Sequence, residues 1–113
     1  MRSVTINKNR YNHKGLKTGY WEEYFVGFVG GGLYSKGSYV NGLKVGYWET
    51  YHPGNILASK GSYKDGKQEG IWEYYYDNGK LECGRYYVEG CLETILEQYF
   101  YNGEKMIKGL YED

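Results

Sequence analysis

Residues 70–81 read Gly70-Ile71-Trp72-Glu73-Tyr74-Tyr75-Tyr76-Asp77-Asn78-Gly79-Lys80-Leu81, and the same frame stands 24 residues earlier as Gly46-Tyr47-Trp48-Glu49-Thr50-Tyr51. A period of this size marks a repeat architecture, in which one supersecondary unit is copied along the chain. Working outward, Tyr39, Tyr63, Tyr87 and Tyr111 share the spacing, as do Tyr51, Tyr75 and Tyr99. So do Asn41-Gly42, Asp65-Gly66 and Glu89-Gly90. The first unit, Gly19-Tyr20-Trp21-Glu22-Glu23-Tyr24, lies 27 residues ahead of its counterpart, and its three extra residues fall within Gly27–Gly32. Four units result, at about 15–40, 41–64, 65–88 and 89–113, with 1–14 as a partial N-terminal strand cap and 1–113 as a single domain.

Each unit reads as one β-hairpin. Asn78-Gly79 and Asn102-Gly103 are dipeptides of the type I′ turn, which needs positive φ at both central residues, and Pro53-Gly54-Asn55 takes that place in the second unit. Counting outward from Gly54-Asn55 puts Glu49 opposite Lys60, Trp48 opposite Gly61 and Gly46 opposite Tyr63. The same count puts Trp72 opposite Arg85 as a cation–π pair, Glu97 opposite Lys108 and Leu96 opposite Gly109. Large rings facing glycine and opposite charges facing each other are the pairs that strands favour. Strand alternation then places Trp48, Thr50, His52, Leu57, Ser59 and Tyr63 on one face. Tyr47, Glu49, Tyr51, Ala58 and Lys60 fall on the other. Both faces are aromatic, which predicts an all-β, elongated, single-layer antiparallel meander of about four hairpins. In the last unit Leu92, Ile95, Leu96 and Tyr99 also fit a helical spacing; the persistent Tyr and Asn-Gly period favours a strand over 91–100.

The composition agrees. Eighteen Gly and 16 Tyr among 113 residues supply turns and strands, while a single Pro excludes collagen-like and Pro-rich linker readings. Fourteen basic residues balance 14 acidic ones, which argues against a nucleic-acid or membrane-surface binder driven by charge. No stretch approaches the ~20 apolar residues of a membrane-spanning helix, and the N-terminus has no signal-peptide run; a cytoplasmic location is expected. Cys83 and Cys91 lack metal-ligand spacing, so no metal or cofactor is expected. Free thiols are the first reading and a Cys83–Cys91 disulfide the second.

The frames Gly46-Tyr47-Trp48-Glu49-Thr50-Tyr51 and Gly70-Ile71-Trp72-Glu73-Tyr74-Tyr75-Tyr76-Asp77-Asn78-Gly79-Lys80-Leu81 resemble the MORN-repeat superfamily. Within it they more closely resemble the variant repeat of bacterial YwqK-type antitoxin-like proteins. The resemblance covers about residues 15–111. It implies an elongated meander of hairpins used in protein–protein or lipid-associated scaffolding. The lengthened first hairpin, Arg85 in a glycine slot and the degenerate last unit depart from the pattern.

Candidate chemistry is sparse. Glu22, Glu49, Glu73 and Glu97 recur in every unit, as a surface ladder would rather than a unique acid–base pair. Gly27–Gly32 lacks the Gly-Lys-Ser/Thr of a phosphate loop, and the serines have no nucleophile context with His13 or His52. No catalytic residue is expected. The expected function is non-enzymatic binding of a partner protein through an aromatic sheet face, with Trp21, Phe28, Trp48, Trp72, Tyr74, Tyr76 and Arg85 as contact residues. Tyr20 and Tyr47 are also less determined by the repeat than the tryptophans. The alternatives are an antitoxin-like or anti-defence inhibitor that occludes a toxin or other enzyme, and a structural homodimer.

Overall fold

The computed structural model of the chain describes residues 8–25 and 32–107. Among these residues eight strands run in chain order: β1 (Arg10–Tyr11), β2 (Lys17–Tyr24), β3 (Leu33–Val40), β4 (Leu43–His52), β5 (Ile56–Lys64), β6 (Lys67–Tyr75), β7 (Leu81–Val88) and β8 (Cys91–Gln98). Each pairs antiparallel with the next in a single open sheet. The expected single-layer meander is the observed one, and 91–98 is strand. Its Cα radius of gyration is 17.1 Å, against about 13 Å for a compact domain of this length, and its extents are 59 × 34 × 26 Å. Residues 1–7 of the expected N-terminal strand cap, the expected partners Lys108 and Gly109, and the column residue Tyr111 lie outside the described residues.

The pairs Trp48–Gly61, Glu49–Lys60, Gly46–Tyr63 and Trp72–Arg85 are all present. Three details differ from the sequence reading. Both turn residues have positive φ at Asn41-Gly42, Asp65-Gly66 and Glu89-Gly90, the type I′ turns, and also at Gly54-Asn55. At Asn78-Gly79 and Asn102-Gly103 only the glycine does. There Gly79 N–H donates to Tyr76 O, and the Asn78 side chain accepts from Lys80 N–H at 2.9 Å. This is a three-residue loop that closes on a left-handed glycine. Second, the odd loop length is absorbed by a β-bulge: Thr50 pairs with Ser59 but Tyr51 with Leu57. Ala58 is the extra residue, as Tyr34 and Glu82 are in the neighbouring units. Leu57 therefore pairs with Tyr51 rather than continuing the Trp48–Ser59 face. Third, the Arg85 guanidinium lies over the Tyr74 ring at 4.5 Å, not over Trp72.

A single layer still makes a core. Tyr11, Trp21, Tyr39, Trp48, Tyr63, Trp72 and Tyr87 form a continuous edge-to-face spine with ring centroids 5.0–6.5 Å apart. Each such pair adds about 0.5–1.5 kcal/mol beyond area burial. The tryptophans reach near-complete burial by lying over the preceding strand, where a Cβ on Gly37 would stand 2.1 Å from Trp48 and one on Gly61 2.2 Å from Trp72. Each indole N–H finds a carbonyl on that strand: Trp21 to Arg10, Trp48 to Ser38 and Trp72 to Ser62, at 3.0–3.1 Å. Lys17 and Lys44 cap the rings at 4.7–5.2 Å. Ser35, Ser59 and Cys83 are the small buried side chains of one 24-residue column. Cys83 and Cys91 are free thiols.

Candidate functional site

The two faces differ in what they leave exposed. Trp21, Trp48 and Trp72 are 7%, 1% and 2% exposed, so they hold the sheet together and present little area to another molecule. The Tyr74 hydroxyl bonds that of Tyr87 at 2.8 Å and accepts from Gln68 at 3.1 Å. Burial and the Tyr87 contact push its pKa up to about 12. Tyr76 donates to Tyr99 O at 2.7 Å, the place His52 fills one unit earlier against Tyr75 O, also at 2.7 Å. Arg85 stands where the other units have Gly37 and Gly61, and Leu96 stands where they have Trp48 and Trp72. The guanidinium thus terminates the spine once the next ring is missing. Its Nε is buried without a hydrogen-bond partner. Phe28 lies outside the described residues.

The opposite face carries a repeated constellation that sequence reasoning did not assemble. In Tyr20-Trp21-Glu22-Glu23-Tyr24 the phenols of Tyr20 and Tyr24 donate to the two oxygens of Glu22, at 2.8 and 2.7 Å. Tyr47 donates to Glu49 at 2.8 Å and Tyr51 clamps the other oxygen of the same carboxylate. Tyr75 and Tyr99 serve Glu73 and Glu97 at 2.8 Å, while Ile71 and Ile95 replace the first tyrosine of the clamp. Alternation explains the motif: residues i, i+2 and i+4 of a strand share a face. The legible signal was Tyr-x-Glu-x-Tyr, repeated at 20–24 and 47–51.

Lysines from neighbouring segments complete the clamps. Lys8 reaches Glu22 at 2.7 Å, Lys36 reaches Glu49 at 3.5 Å and Lys60 reaches Glu73 at 3.5 Å. The expected lysine opposite Glu49 is present, but its ion pair is with the glutamate on its other side. Strand β7 has Gly84 in this slot, and Glu97 takes its cation from Lys105 at 3.1 Å instead. The Lys8 hydrogen bond, followed by those of Tyr24 and Tyr20, lowers Glu22 to about 2. Tyr20 and Tyr47 are raised to about 12 by desolvation, then by donating to a carboxylate. At physiological pH the phenols are therefore neutral donors and the glutamate is an anion. Tyr47 is nevertheless 54% exposed, with Tyr20 at 38% and Ile71 at 63%.

Among the described residues no group of three or more His, Cys, Asp or Glu is placed to hold a metal ion. No helix among them is long and apolar enough to cross a membrane. A groove of about 990 Å³ lies along β8 and is lined by Leu92, Ile95, Leu96, Met106 and Ile107 among others. Comparison of the chain with protein-family models, curated proteins and solved structures gives no match.

Proposed function

We propose that the chain is a non-enzymatic, cytoplasmic protein-binding module of MORN-like β-hairpin repeats that takes its partner on the tyrosine–glutamate face. One observation carries this reading: the rings of Tyr20 and Tyr47 stand in solvent yet are held by hydrogen bonds to Glu22 and Glu49. Exposed tyrosine supplies rigid amphipathic contact area. A ring already fixed loses less of the roughly 0.5–1.5 kcal/mol that ordering a side chain costs on binding. The tryptophan face offers less, because its rings are already spent on the spine. The free thiols of Cys83 and Cys91 suit a reducing compartment.

The test is photo-crosslinking in the native host, with p-benzoylphenylalanine replacing Tyr47, Tyr20 or, as a comparison, Tyr101 in the 100–104 turn. Covalent adducts to another protein chain should form from positions 47 and 20 and not from 101. Adducts from 101 with none from 47 or 20 would move the contact off this face.

A further inference from the structure

Across the tyrosine–glutamate face the charges alternate by strand. The even strands β2, β4, β6 and β8 carry Glu22, Glu49, Glu73 and Glu97; β3, β5 and β7 carry Lys36, Lys60 and Gly84 in the same row. Lys8, just ahead of β1, opens the row against Glu22. An alternating row with an even number of positions becomes its own complement when reversed. A two-fold axis parallel to the strands, between β4 and β5, would lay β1 over β8 of a second copy, β2 over β7, β3 over β6 and β4 over β5. Lys8 then meets the partner's Glu97, Lys36 meets the partner's Glu73, and Glu49 meets the partner's Lys60. Glu22 meets the partner's Gly84. Within this row no like charges are brought together.

In the next row Tyr47 would sit over the partner's Ser62 and Ile71 over the partner's Ser38, while Tyr20 would meet the partner's Tyr86, which β7 carries in the serine slot. The whole chain is polarised in the same sense. Residues 1–66 hold nine Lys and Arg against four Asp and Glu, and residues 67–113 hold five against ten. A zero net charge conceals this division. Because a meander maps sequence position onto position along the sheet, the basic half of the chain supplies the first strands and the acidic half the last. Reversal lays each half on its opposite. Strands β2 to β8, 8–10 residues long, make a face of about 29 by 27–34 Å, close to the about 800 Å² per partner that a standard interface covers.

We propose that this face docks on the same face of a second copy of this chain, in an isologous, antiparallel dimer. The proposal rests on the preceding reading of the face as a protein-contact surface. It names the partner.

The experiment is sedimentation equilibrium of the purified full chain at micromolar concentration, at about 0.01 M and about 1 M salt, between which the Debye length falls from about 30 to about 3 Å. The expected species at low salt has twice the 13.2 kDa monomer mass. Its dissociation constant should rise tenfold or more in high salt or in the K36Q/K60Q variant, on the order expected when interface charges are removed. Ile71→Asp, at a 63% exposed position, should weaken the dimer with unchanged tryptophan emission, which keeps the test independent of folding defects in the lysine variant. Zero-length carbodiimide coupling should yield a Lys36–Glu73 link in the dimer band. Within one chain these residues lie three strands apart, about 14 Å, too far for a direct amide. A monomer at both salts, a mass growing past twice the monomer, or a dimer band without that link would overturn the proposal. A monomeric chain that still crosslinks another protein from position 47 would remove the dimer and leave the function of the face standing.

Discussion

Gly61→Ala places the account of the core under direct strain. Gly61 pairs with Trp48 in the hairpin, but an added Cβ would meet Trp72, at 2.2 Å from Cδ2. Carbon atoms rest about 3.5–4.0 Å apart, so the indole must withdraw by more than an ångström. Trp72 has nowhere to go: it is 2% exposed, touches Tyr63 and Tyr87 edge-on, and donates its N–H to Ser62 O at 3.0 Å. Overpacking of this kind costs about 1–3 kcal/mol. Straining or losing the indole bond adds about 1 kcal/mol, and replacing a strand glycine returns about 0.5–1 kcal/mol. The net destabilisation should be about 1–3.5 kcal/mol, read as a lower urea midpoint by tryptophan fluorescence at constant slope. The last unit carries a natural form of the compensation, with Arg85 in the glycine slot and Leu96 in the tryptophan slot. G61A/W72L should therefore cost less than the sum of its single changes, with a coupling of about 1–2 kcal/mol between contacting residues. A G61A variant within 0.5 kcal/mol (roughly the spread of neutral surface changes) of the parent would refute the packing of Trp72 over Gly61.

Three further outcomes follow from local chemistry. Glu22 sits at about 2 in the folded chain against an ordinary value of 4.5. Its contribution is complete above about pH 4.5 and is lost as pH falls toward 2; urea midpoints should drop across that window in the parent and less steeply in Glu22→Gln. Glu89 occupies the left-handed region at φ 49 in a turn whose counterparts are Asn41 and Asp65. Glu89→Asn should stabilise by about 0.5–1 kcal/mol, because asparagine tolerates this conformation better, and an unchanged thermal midpoint would contradict that. Tyr76→Phe deletes the bond to Tyr99 O and should cost about 1 kcal/mol, measured by the same denaturation.

The fold was readable because the 24-residue period fixes hairpin pairs such as Trp48–Gly61 and Glu49–Lys60. Counting outward from a turn addresses only one edge of each strand. The other edge pairs with the neighbouring hairpin in a different register: Lys36 faces Glu49, yet Ser38 faces Val45, with left-handed Gly46 absorbing the slack. That second register decides which glycine lies beneath which tryptophan, and so which face becomes the core. Without it Trp21, Trp48 and Trp72 look as available for binding as Tyr20 and Tyr47. The bulge at Ala58 was hidden for a related reason, since it depends on whether Pro53-Gly54-Asn55 counts as two loop residues or three. Arg85 was read against Trp72, its pair across the strands, while the guanidinium reaches along its own face to Tyr74, two residues further on that neighbouring strand.

Hydroxyl-radical footprinting of the chain, alone and in the complex recovered from its host, tests the central claim most directly. The account predicts that Tyr20, Tyr47 and Ile71 lose reactivity in the complex while Trp48 and Trp72, already buried at 1% and 2% exposure, stay unreactive in both. Protection confined to turns such as 100–104, with Tyr20, Tyr47 and Ile71 unchanged, would contradict it.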